Sequence, residues 1–269
     1  MTDNTIWLAF GLTMIAGFAT GIGSLIALIA KRTNTKFLCA SLGFSAGVML
    51  YVSFMDLIPI AKEELILHFG EKTGTLTLLL AFFGGMGLIT LIDFLIPKPN
   101  NPHEMQGIED MNIPTNRQKS LHRTGIIVAL ALVAHNFPEG IAVFTTAMSS
   151  GLSVAIPITI AIAIHNIPEG IAVSVPIYHA TGNKRKAFWL SFLSGLTEPL
   201  GALIAYFFLM PFWSSLIHGI VMAAVAGIMV YISVDELLPT AKKYGEHHIS
   251  ISGLIAGMVL MALCLFLFI

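Results

Sequence analysis

Apolar runs about as long as a bilayer is thick recur eight times along the chain, and no other feature restricts its fold so strongly. They cover about 6–30, 36–60, 75–96, 122–148, 152–179, 186–209, 214–241 and 249–269, each near the roughly 20 residues that a membrane-crossing helix needs. In hydrocarbon every backbone N–H and C=O must be satisfied within the segment, so runs of this length fold as helices. Composition agrees: 56% of the residues are hydrophobic and 11% are charged, where a soluble domain carries about a quarter charged. The expected fold is an all-α membrane protein, with residues 1–269 forming one transmembrane domain. The polar segment 97–121 is expected to be a loop. The first run lacks a basic leader and a small-residue cleavage site, so it reads as a retained span. Cys39 and Cys264 each stand alone in apolar sequence, which suggests neither a thiolate metal site nor a disulfide framework. A formal net charge of -1 gives no reason to expect a nucleic-acid partner.

The basic residues orient the spans. Lys31, Arg32, Lys36, Lys98, Arg117, Lys119, Arg123, Lys184, Arg185, Lys186, Lys242 and Lys243 fall in alternate connections, leaving Lys62 and Lys72 for the other side. This asymmetry places the 97–121 loop in the cytoplasm and both termini outside, in a multi-pass protein of the cell's inner membrane.

Two internal repeats impose further order. "AHNFPEG" (134–140) returns as "IHNIPEG" (164–170), and "GVMLYVSFMDLIPIAK" (47–62) returns as "GIMVYISVDELLPTAK" (227–242). Each pair joins an even-numbered span to an odd-numbered one, so its members cross in opposite directions. Three spans, a central pair and three related spans therefore form an expected 3+2+3 inverted-repeat bundle. Such repeats are a hallmark of transporters, with the binding site near the midplane where they meet.

The doubled motif carries the chemistry. On a helix, residues four apart share a face, so His135 aligns with Glu139 and His165 with Glu169. Asn136 and Asn166 turn away by about 100°, still in reach of an adjoining site. His135 lies as far before the turn at Ser150 as His165 lies after it, which sets both roughly 22 Å below that turn. The histidines then share a layer, with Glu139 one turn nearer the outside and Glu169 one turn nearer the inside, as in a short ladder. Pro138 and Pro168 lack the N–H that would bond the carbonyls of Ala134 and Ile164. Bends with freed backbone oxygens are expected there. Glu198, beside Pro199 in the sixth span, sits at a similar depth. Three buried carboxylates repel one another unless a cation or protons intervene. Imidazole with carboxylate suits Zn2+ and other first-row divalent ions, and the absence of thiolates also admits Fe2+, Mn2+ or Co2+.

These residues resemble the ZIP family of divalent-metal transporters, in its bacterial zinc-uptake form. The likeness extends over essentially the whole chain, including "EPLG" in the sixth span and "DELLP" in the seventh. It implies metal uptake into the cytoplasm through a two-metal centre. His135, Glu139, His165 and Glu169 would hold the first ion; Asn136, Asn166 and Glu198 would hold the second, with both glutamates as bridges. The cargo implied is Zn2+, with Fe2+, Mn2+, Co2+ or Cd2+ as alternatives. The implied partners are the lipid bilayer and divalent ions, with a homodimer left open. The histidine-rich inner loop common in the family is represented here by His103 and His122 alone.

Asp56 is expected near the outer face, and Asp235 and Glu236 near the inner one. They and His179 read either as pathway groups feeding and draining the site or as polar tips snorkelling at helix ends. His247 and His248 read as solvated. The glycines of "GFATGIG" (17–23) and "GGMG" (84–87) read as helix-packing positions. Two other functions stay open: an intramembrane metalloenzyme and a metal-selective channel. The enzyme reading lacks an H-E-x-x-H helix and gives no reason for inverted repeats.

Overall fold

The computed structural model describes residues 3–29, 35–95, 136–149, 151–181, 183–244 and 247–267. Among these there is no strand. The helices are α1 (Asp3–Ile29), α2 (Thr35–Val52), α3 (Ile58–Phe69), α4 (Glu71–Leu95), α5 (136–149), α6 (Leu152–Thr181), α7 (Lys184–Gly195), α8 (Thr197–Ile204), α9 (Ser215–Ile232), α10 (Leu238–Tyr244) and α11 (His247–Leu267). Seven segments of the described residues are long and apolar enough to cross a membrane. The 97–121 loop, His103, His122 and His135 lie outside the described residues.

Local sequence explains where these helices turn. Gly70 and Gly151 have φ of 78° and 86°, a region that only glycine enters without strain. They close the connections from α3 to α4 and from α5 to α6. Asn183 and Ser214 cap α7 and α9, accepting from the amides of Lys186 (3.1 Å) and Ile217 (3.3 Å). Lys184 Nζ donates to the Leu28 carbonyl at 2.7 Å, satisfying an orphan acceptor at the end of α1.

The second sequence repeat is also a structural repeat. A π-helical turn, Ser53–Leu57, joins α2 to α3, and another, Ser233–Leu237, joins α9 to α10. Each opens with a buried serine whose hydroxyl donates 2.8 Å to the carbonyl four residues back, Met49 in one copy and Met229 in the other. Pro59 and Pro239 follow at equivalent positions. Neither can donate to the preceding turn, so a wider turn there removes a conflict that an α-helix would have to absorb.

The sixth span is interrupted. α7 stops at Gly195, Leu196 forms a turn, and α8 begins at Thr197. Pro199 has no N–H for the Gly195 carbonyl, which accounts for the break. Pro168 behaves differently, since α6 continues through it as one helix.

The helices pack in two groups. α1 lies along α6, α7 and α8, while α2 lies along α11, and α9 along α3 and α4; the groups meet where α2 packs on α6. α6 and α9 are largely enclosed, whereas α4 and α11 show most of their surface outward. That outward surface is apolar, with Leu76, Leu80, Phe83, Val259 and Phe266 more than half exposed, as lipid requires. Gly17 lies over the Gly195 carbonyl, Gly21 over the Phe192 ring and Gly23 over the Ile167 carbonyl, so the first glycine run does pack helices. In the second run Gly85 meets Ala224, while Gly84 and Gly87 face open space.

Candidate metal centre

The polar centre is held by three helices. α5 supplies Asn136 and Glu139, α6 supplies His165, Asn166 and Glu169, and α8 supplies Glu198 at its first turn. Asn136, Glu139, Asn166 and Glu198 are fully buried; His165 and Glu169 are nearly so. The helices approach closely because glycine follows each motif. A Cβ on Gly140 would overlap the Glu198 carbonyl, and one on Gly201 would overlap that of Phe137. α5 and α8 are thus locked together at the depth where their carboxylates stand.

Glu139, His165 and Glu169 each place a ligand atom within 4.8 Å of the other two. His165 Nε2 lies 3.2 Å from Glu139 Oε1. The expected ladder is therefore drawn into a cluster. The side chains of the two glutamates converge with the imidazole. Beside this cluster, the side-chain amides of Asn136 (3.4 Å) and Asn166 both donate to Glu198 Oε1. Asn166 Nδ2 also donates to the Ala16 carbonyl at 3.0 Å, and Ser45 Oγ donates to the His165 carbonyl at 3.0 Å. The backbone acceptor seen in use is thus that of His165, next to the Ile164 carbonyl singled out by Pro168.

The site has more acceptors than donors. Asn136 Oδ1, Glu139 Oε2, His165 Nδ1, Asn166 Oδ1, Glu169 Oε1 and Glu198 Oε2 are all buried without a hydrogen-bond partner among the described residues. Buried polar atoms normally find partners. Lone pairs from carboxylates, amides and an imidazole, gathered in one dry place, form a donor set for a cation.

The other singled-out residues lie on neighbouring turns and helices, and Glu236 is close enough to act electrostatically on Glu169. Asp56 lies in the first π turn, half-buried, with Oδ2 unpartnered among the described residues. In the second π turn, Asp235 is exposed and Glu236 half-buried. His179 falls in α6, but its side chain is not among those described. His247 and His248 are exposed at the start of α11.

One buried pair escaped the sequence reading. His218 Nδ1 lies 2.8 Å from Glu64 Oε1, joining α9 to α3, with the side chains 1% and 24% exposed. The signal was available, because His218 is the only ionisable residue in the first half of an otherwise apolar run. His218→Ala should leave Glu64 short of its partner and open a cavity, lowering stability by about 2–4 kcal/mol. Thermal unfolding of the purified variant in detergent measures this, and an unchanged midpoint would mean that the pair contributes nothing.

Comparison with known proteins gives a consistent answer. The sequence model of the family described as ZIP zinc transporter matches residues 99–265. Zinc transporter ZupT of Clostridium perfringens is 55% identical over 279 residues, covering 99% of this chain and 98% of that protein. Zinc transporter ZupT of Streptococcus mutans is 55% identical over 264 residues, covering 98% of both. Zinc transporter ZupT of Chlorobium chlorochromatii is 54% identical over the whole length of both.

Proposed function

The chain belongs to the ZIP zinc transporter family, and on that premise we propose that it moves Zn2+ across the cell's inner membrane into the cytoplasm through the buried α5–α6 centre. Family membership makes it a transporter of divalent metal rather than an enzyme. The observation that carries the reading is the set of buried, unpartnered ligand atoms on Asn136, Glu139, His165, Asn166, Glu169 and Glu198. His135, Glu139, His165 and Glu169 hold one ion in this proposal. Asn136, Asn166 and Glu198 hold a second, and the two glutamates bridge. Fe2+, Mn2+, Co2+ and Cd2+ compete for the same donors, since oxygen and imidazole ligands do not select strongly among them. Asp56 leads toward the centre, and Asp235, Glu236 and His179 lead away from it. The proposed frame is one domain over 1–269, with eight spans in a 3+2+3 inverted arrangement, the 97–121 loop in the cytoplasm and both termini outside. A homodimer is compatible with the exposed apolar faces.

Metal ligands must lose protons to bind, so protons compete with zinc. Radiolabelled zinc uptake at low zinc concentration should therefore fall as the external pH drops from about 7.5 to about 5.5, across the ordinary histidine range. Added zinc should restore it. Uptake that is insensitive to acid, or an acid loss that zinc does not reverse, would contradict binding at deprotonated His and Glu.

A further inference from the structure

The close approaches around the centre come in matched pairs. Gly140 lies against the Glu198 carbonyl, and Gly170, its counterpart in the second motif, lies against the Thr20 carbonyl. Gly201 lies against the carbonyl of Phe137, and Gly23 against that of Ile167, again equivalent positions of the two motifs. Gly17 and Gly195 lie over each other's carbonyls. α5 therefore meets α8 through the same contacts by which α6 meets α1. The register that satisfies all of them aligns "AGFATGIG" (16–23) with "SGLTEPLG" (194–201). In that register Thr20 is the counterpart of Glu198.

Thr20 is fully buried, and its hydroxyl has no hydrogen-bond partner among the described residues. Other threonines in these helices bond a carbonyl three or four residues back, as Thr13, Thr145 and Thr159 do. Thr20 would use the Ala16 carbonyl, but Asn166 Nδ2 already donates to that oxygen. Gly195 leaves the Thr20 side chain its space, since a Cβ there would lie 2.9 Å from that of Thr20. A hydroxyl in this setting has two lone pairs to offer.

We propose that Thr20 is a ligand for the divalent ion at the Glu169 end of the centre, a neutral oxygen where the Glu139 end has the carboxylate of Glu198. This rests on the reading of the centre as a transport site. Its consequence is an asymmetric path. Beside the two glutamates that both ions share, the Glu139 end adds the carboxylate of Glu198 and the Glu169 end adds only a hydroxyl, so release is easier there.

Zinc flux into sealed liposomes containing the purified chain tests the proposal. Thr20→Val keeps the shape and removes the oxygen, so the KM for zinc should rise about fivefold or more, the worth of one lost polar contact. Thr20→Ser, which keeps the oxygen, should retain the transport that valine loses. Thr20→Asp supplies a second anion, so KM and maximal flux should fall together as the ion is held too tightly to leave. Should the valine variant fail to fold, the aspartate variant decides the question. Wild-type kinetics in both, beside a Glu169→Gln variant that has lost flux, would overturn the role of Thr20 and leave the site reading standing. Wild-type flux in Glu169→Gln would overturn both.

Discussion

Glu139→Gln is expected to cut zinc uptake about 100-fold or more, since replacing even a residue that only supports a metal ligand costs about 10- to 100-fold. Glu139 sits 3.2 Å from His165 Nε2 and within 4.8 Å of a Glu169 oxygen, so its carboxylate serves every proposed ion in the centre. Glutamine preserves the volume and one oxygen but removes the charge. Stability should move the other way. In the metal-free protein Glu139, Glu169 and Glu198 each keep one buried carboxylate oxygen without a partner among the described residues, and neutralising one relieves their repulsion. The variant should therefore melt no lower than the wild type while binding zinc far more weakly. A residue that merely held the helices together would lose both. Zinc accumulation by cells expressing each form, with thermal unfolding of the purified proteins, separates the two cases.

Gly140→Ala is expected to lower stability by about 1–3 kcal/mol, as overpacking at a tight contact does. The added methyl would overlap the Glu198 carbonyl, so α8 must move off α5. Glu198 would move with it, away from the amides of Asn136 and Asn166, and transport should fall as well. Gly84→Ala is the control, because a Cβ there meets nothing within 4 Å. Alanine is the better helix former by about 1 kcal/mol, so this variant should melt at or above the wild-type temperature. Thermal midpoints in detergent, with zinc uptake at matched protein levels, measure both. Equal midpoints for the two variants would contradict a tight α5–α8 contact at Gly140.

How far the sequence foretold this arrangement depends on the kind of signal. The doubled motif was legible because His, Asn, Glu and Pro are conspicuous in apolar surroundings, and helical periodicity alone puts His165 and Glu169 on one face. The repeat of "SFMDLIP" as "SVDELLP" was visible as text, and it reappears as paired π turns with matching serine bonds. The depth estimate speaks only of the backbone. Counting residues gives backbone heights, but a ladder becomes a cluster when long side chains lean together, and rise per residue carries no information about that. The break at Leu196 follows from Pro199, yet the same rule applied to Pro168 does not interrupt α6; the surrounding contacts decide which proline ends a helix. Glu64 pairs with His218 from far along the chain, and Thr20 corresponds to Glu198 in a different span. Only the packing of α3 on α9 and the matched glycine contacts reveal them.

The central claim is that zinc crosses the membrane through the ligands gathered by α5 and α6. Zinc entry into sealed liposomes, followed with a trapped zinc-sensitive dye, tests it most directly for wild type and for Glu139→Gln combined with Glu169→Gln. The account predicts saturable entry with the wild type and entry no faster than into protein-free liposomes with the double variant, although both are folded. Equal entry through the two proteins would contradict it.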